Sequence, residues 1–175
     1  MKGLIKNNSP CAIFLLCAVS ITCLISSCYS FKGVSIDEET KTFSVIPFTL
    51  SSPAAPPTLG TIFSEKIKDK IRTNTRLINT TNEAHLAFSG TITDFSVSSQ
   101  SPQPGVQSVF NQLKITVAVE MTNNLKEKGS WKQSFSFQSD FPGGASLLSV
   151  QDGLIKTISD KITEDIFNKA FTENW

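Results

Sequence analysis

The chain has 175 residues, with 16 Lys and Arg against 15 Asp and Glu, a formal net charge of +1. So even a balance argues against wholesale nucleic-acid binding, which needs a basic surface. All four cysteines, Cys11, Cys17, Cys23 and Cys28, lie at the N-terminus, so the rest of the chain has neither a disulfide framework nor a cysteine metal site.

The first element is a leader. Lys2 and Lys6 precede an apolar run that starts at Cys11, is interrupted by Ser20 and Thr22, and ends in Leu24-Ile25-Ser26-Ser27-Cys28. A basic start, an apolar middle and small residues before a cut make a secretory signal peptide over residues 1–27. An ordinary signal ends in a small-x-small pattern. A branched apolar residue, two serines and a cysteine instead resemble a bacterial lipobox, in which the thiol receives a diacylglycerol and the chain is cut before it. Cys28 is the expected lipidation site. Cys23 follows Thr22, and Cys17 follows Leu15 and Leu16, which are too large. An uncleaved anchor would need about 20 uninterrupted apolar residues. Stable attachment takes more than one acyl chain, and a diacylglyceryl cysteine with a further amide-linked, palmitate-like chain meets that need. Cleavage removes Lys2 and Lys6 and leaves 148 residues, with 14 basic and 15 acidic, the size of one domain.

Residues 28–40 read as a lipidated tether, and 41–175 as a single domain. No acidic residue directly follows Cys28, which favours the outer membrane with the domain in the periplasm. Asp37, Glu38 and Glu39 are expected to be solvated. Lys41–Leu50 reads as a strand through Phe43, Val45 and Phe48, broken by Pro47. The proline-rich stretch 51–58 is a loop. Leu59, Ile62, Phe63, Ile67 and Ile71 form a helical stripe to about Thr73, with Pro57 and Thr58 as start signals. A short extended piece, Thr75–Ile78, and a turn at Asn79–Glu83 follow.

Leu86, Phe88, Ile92, Phe95 and Val97 predict a strand whose phase slips near Thr93-Asp94, the mark of a bulge. Ser98–Ser108 reads as a long polar loop. Leu113, Ile115, Val117, Val119 and Met121 alternate with polar residues. After a turn at Asn123-Asn124, Trp131, Phe135, Phe137 and Phe141 do the same, which predicts a hairpin ended by Pro142-Gly143-Gly144. The last element is a helix from about Leu147 to Asn174, capped at Ser149 with Asp152, and striped by Ile155, Ile158, Ile162 and Ile166. The order predicts an α+β fold: a two-layer α/β sandwich with about four strands in a mixed sheet and two helices on one face. Thr116, Glu120, Ser134 and Ser136 would then lie on a solvated outer face.

Nothing in the sequence points to catalysis, a cofactor or a metal. The single histidine, His85, has no local nucleophile, and Asp160, Glu164 and Asp165 read as a solvated helix side. Lys68, Arg72 and Arg76 recur every four residues, flanked by Lys66 and Lys70. They read either as cations complementing the helix dipole or as a docking face for anionic glycolipid phosphates.

The ordered set Cys28-Tyr29-Ser30-Phe31-Lys32-Gly33, Phe43-Ser44-Val45-Ile46-Pro47-Phe48, Thr75-Arg76-Leu77, Phe88 through Phe95, Leu113 through Val117 and Ile166-Phe167-Asn168 through Trp175 resembles the LptE-like lipopolysaccharide-assembly lipoproteins. The matching residues run through essentially the whole mature chain. The resemblance implies an outer-membrane lipoprotein with two helices on a mixed sheet. It also implies an LptD-like β-barrel partner, whose lumen the lipoprotein partly fills, and delivery of lipopolysaccharide to the outer leaflet. Gln112 stands where an arginine is expected in many relatives. The loop Ser98–Ser108, the turn Asn123–Ser130 and the strand edges are expected to meet the barrel wall. The alternative is another periplasm-facing outer-membrane lipoprotein adaptor, in an envelope or secretion complex.

Overall fold

The computed structural model describes residues 36–100 and 109–172. The expected signal peptide, Cys28, the expected tether before Ile36, positions 101–108 and the expected last residues of the final helix, 173 and 174, lie outside the described residues. Among those described are six strands and two helices. They run β1 (Thr42–Val45), β2 (Thr49–Leu50), α1 (Leu59–Asn74), β3 (Ile78–Asn79), β4 (Leu86–Gln100), β5 (Phe110–Asn123), β6 (Trp131–Pro142) and α2 (Leu147–Phe171). The sheet order is β3-β1-β4-β5-β6, with β2 also beside β4. β1 runs parallel to β3 and β4, whereas β4, β5 and β6 form an antiparallel meander. Both helices pack on one face, as the two-layer reading expects. The sheet exceeds four strands because β2 and β3 are two-residue pieces, too short to leave a periodic pattern.

β1 and β2 are one strand interrupted at Pro47. Phe43 faces Leu86 but Thr49 faces Thr91, so the first strand carries one extra residue between them. Pro47 has no N–H to give to the ladder. The break turns Phe48 into the core, where its N–H donates to Ser64 Oγ at 2.9 Å, and that hydroxyl donates to the Gly60 carbonyl at 2.8 Å. A β-carbon at Gly60 would lie 2.3 Å from the Phe48 carbonyl oxygen, and one at Gly90 would lie 2.3 Å from the Phe48 ring. Glycine at these two positions is what lets β4, α1 and Phe48 approach so closely.

The bulge expected in β4 is present: Ile92 pairs with Val117 and Asp94 with Thr116, leaving Thr93 as the extra residue. Phe95 can then return to the buried side. The strand does not end at Ser98. Ser98 to Gln100 pair with Gln112 to Phe110, so the expected loop loses its first three residues to the ladder. A cross-strand bond from Ser99 Oγ to Asn111 Oδ1 at 2.9 Å helps to carry the strand on.

The core is the inward set of β5 (Leu113, Ile115, Val117 and Val119, all fully buried) against the helix stripes. α1 buries Leu59, Phe63, Ile67 and Ile71. α2 buries Ile155, Ile158, Ile162, Ile166 and Phe171, and the Phe171 ring lies 6.2 Å from that of Phe88. Each such large residue contributes about 1.5–3 kcal/mol on burial. The expected caps are not used. Thr58 occupies the N-cap position of α1 without a side-chain cap bond. α2 starts at Leu147, ahead of the expected Ser149 cap, and Ser149 instead donates to the Ser146 carbonyl at 2.7 Å inside the first turn. Tertiary burial, not capping, supplies most of the stability of such amphipathic helices.

Candidate functional site

Of the residues singled out in the sequence, Cys28 lies outside the described region. Lys68, Arg72 and Arg76 lie within it, and they do not form a free cationic ridge. Lys68 pairs with Glu65 at 2.7 Å and Arg72 with Asp69 at 2.9 Å, each across one helical turn. Arg76 lies past the end of α1 and donates to the Ile36 carbonyl at 3.3 Å. The neighbouring row is engaged too: Lys66 pairs with Asp160 of α2, and Lys70 sits 5.5 Å from the Phe167 ring centroid. Lys68 and Arg72 each follow an acid at i−3, which a count of cations alone overlooks.

Asp160 is therefore not merely solvated. It bridges the helices, hydrogen-bonded by Lys66 from α1 and by Lys156 from α2, and these partners hold its carboxyl below the ordinary carboxylate value. Asp37, read as a solvated tether residue, accepts a 2.7 Å bond from Lys126 in the β5–β6 turn, and this bond raises the lysine above its usual range. His85 is held just ahead of β4: its Nδ1 accepts the Lys41 N–H at 3.1 Å and its backbone N–H donates to Thr42 Oγ1 at 3.0 Å. It ties the start of β1 to β4.

The sheet face away from the helices is polar and internally bonded. Thr49 pairs with Thr91 at 2.9 Å, Lys132 with Glu120 at 3.4 Å, and Gln112 Nε2 donates to Asp140 at 2.8 Å. Gln112, where an arginine is expected, thus keeps a partner across the hairpin. At the edge of this face, β6 offers one side of a twelve-residue backbone that no described strand pairs. Such an edge is a template for another chain. The turn that leads into β6 is rigid: Asn123 Oδ1 accepts the N–H groups of Leu125 and Lys126 at 2.9 and 3.0 Å, and Asn124 Nδ2 donates to the Ala84 carbonyl at 2.7 Å. Sequence reasoning reached the outer face and the turn through alternation and the paired asparagines. It read Phe48 as an apolar strand residue but missed its close approach to Gly60 and Gly90, although an isolated glycine inside a strand is a signal of such approach.

Among the described residues no helix is long and apolar enough to cross a membrane. A lipopolysaccharide-assembly family, LptE, matches residues 40–170. No curated protein matches the chain. Similar solved structures include a minor lipoprotein from Acinetobacter baumannii, 13% identical over 74% of this chain and 91% of that one, with a TM-score of 0.49. A hypothetical protein from Chlamydia trachomatis is 10% identical over 75% and 98%, with a TM-score of 0.49. A protein from Xanthomonas campestris is 8% identical over 77% and 87%, with a TM-score of 0.50. At 8% identity, the likeness to the Xanthomonas campestris protein is one of fold alone.

Proposed function

Because the chain belongs to the LptE lipopolysaccharide-assembly family, we propose that it is an outer-membrane lipoprotein that pairs with an LptD-like β-barrel as plug and assembly partner. In this reading it helps deliver lipopolysaccharide to the outer leaflet and performs no catalysis of its own. The carrying observation is the span of the match: residues 40–170 take in every described strand, all of α1 and nearly all of α2. Two features support the finer reading. The helix-free sheet face is polar, and so are barrel lumens. The unpaired side of β6 and the rigid β5–β6 turn supply backbone and side-chain groups for a wall to meet. Lipid on Cys28 would hold the domain at the membrane beside its partner.

The test is affinity purification of the full-length protein from detergent-solubilised membranes. Recovery of a large lipopolysaccharide-transport barrel is the expected result. Its absence, with an envelope or secretion complex recovered in its place, would overturn the pairing and favour the adaptor role.

A further inference from the structure

β6 (Trp131–Pro142) is the long edge of the sheet, and no described strand pairs its outer side. Open edges are commonly blunted by a bulge, a proline or an inward-pointing charge. Between Trp131 and Phe141, β6 carries none of these. It pairs with β5 without a register shift, and its one proline is its last residue. Its core-side positions are Trp131, Gln133, Phe135, Phe137, Ser139 and Phe141, all uncharged. Its two charges, Lys132 and Asp140, are of opposite sign, lie on the outer face, and stand four residues to either side of Ser136. Neither is neutralised within the chain. Lys132 meets Glu120 only at 3.4 Å, and its side chain stays 73% exposed. Asp140 accepts from the Gln112 amide, which carries no charge, and among the described residues no cation pairs it.

An edge with opposite charges at equal distances from its centre is complementary to itself when it runs antiparallel. We propose that two copies of this chain pair β6 to β6 about a two-fold axis at Ser136, joining their sheets into one. Lys132 then stands opposite Asp140 of the second copy, and Asp140 opposite Lys132 of the second copy, the isologous arrangement of a two-fold interface. On the outer face the row across the seam runs from Glu120 and Lys132 to Asp140 and Gln112 of the second copy. Lys132 thus lies between two carboxylates, and Asp140 gains a cation. On the core side Phe135 meets Phe137 and Trp131 meets Phe141, aromatic pairs of the kind that stabilise neighbouring strands. Trp131 and Phe137 are half-buried in the single chain, so pairing covers them further. A parallel arrangement in the same register sets Lys132 beside Lys132 and Asp140 beside Asp140, and facing like charges are destabilising. Charge complementarity therefore selects a second, antiparallel copy. The inference does not rest on the barrel pairing. A copy joined through β6 has no free edge there for a barrel wall, so the two contacts exclude each other.

The test is sedimentation equilibrium of the full-length protein in density-matched detergent, with micelles in excess over protein. A reversible dimer is expected. Lys132→Glu and Asp140→Lys, each at an exposed side chain, turn two attractive pairs per dimer into two repulsive ones. Each should weaken self-association at least about tenfold. An equimolar mixture of the two variants restores opposite charges at both positions of the seam, and should form a heterodimer of nearly native affinity. A variant damaged in its fold would not be rescued by mixing, and far-ultraviolet circular dichroism of each checks the fold directly. A monomer throughout the micromolar range, indifference to either reversal, or a mixture that associates no more tightly than its components would overturn the proposal. The barrel pull-down and this measurement read different partners, so the two readings fail separately.

Discussion

Phe48 touches both layers at once, its carbonyl against Gly60 of α1 and its ring against Gly90 of β4. Its N–H, freed from the ladder by the Pro47 break, is buried with Ser64 Oγ as its acceptor. Ser64→Ala would strand that donor, at a cost of about 1–3 kcal/mol. Gly90→Ala would push a methyl into the Phe48 ring, and overpacking of this kind costs about 1–3 kcal/mol. Urea denaturation should show both losses. Gly90→Ala combined with Phe48→Leu should lose less than the sum of the two single changes, because the residues are in contact. An additive result would mean that the ring can move aside freely.

At the scale of elements, α1 and α2 are joined by more than their apolar stripes. Asp160 takes hydrogen bonds from Lys66 across the interface and from Lys156 along α2, and the first of these contributes most to holding its carboxyl below the ordinary value of 3.8. Because the folded value is the depressed one, this contribution is fully present above the ordinary value and is lost as pH falls through the folded one. Asp160→Asn should therefore flatten part of the acid-side dependence of stability below about pH 4. It should change stability at neutral pH only slightly, since exposed ion pairs contribute under about 1 kcal/mol. Urea midpoints across that pH range check both statements. An unchanged acid limb would show that the bridge adds nothing to the helix pair. The same interleaving of charge explains Lys68 and Arg72: acids one turn earlier occupy them on the surface of α1.

For the molecule as a whole, the proposed lipid attachment is expected to be separable from the fold. Cys28→Ala should leave the domain folded and shift the chain to a soluble or unprocessed form in membrane fractionation. A variant that still fractionates with the outer membrane at mature size would refute the lipid assignment. The periodic elements were legible: the helical stripes of α1 and α2, the β5–β6 hairpin and the Thr93 bulge follow from apolar spacing, because one buried face imposes its own repeat on the chain. The ends of elements were less legible, since caps and loop starts depend on neighbours. Ser98–Gln100 became strand only because Phe110–Gln112 lay opposite. By itself the sequence determined the two-layer α+β class and the family resemblance, and it carries the expectation of a lipobox at Cys28, all of which are written in local order and spacing. Only the tertiary structure decided that Phe48 sits between two glycines, that the cations of α1 are held by acids, and that no described strand pairs the outer side of β6. Those facts arise where segments distant in the chain meet, and periodicity along one segment carries no information about what comes to rest against it.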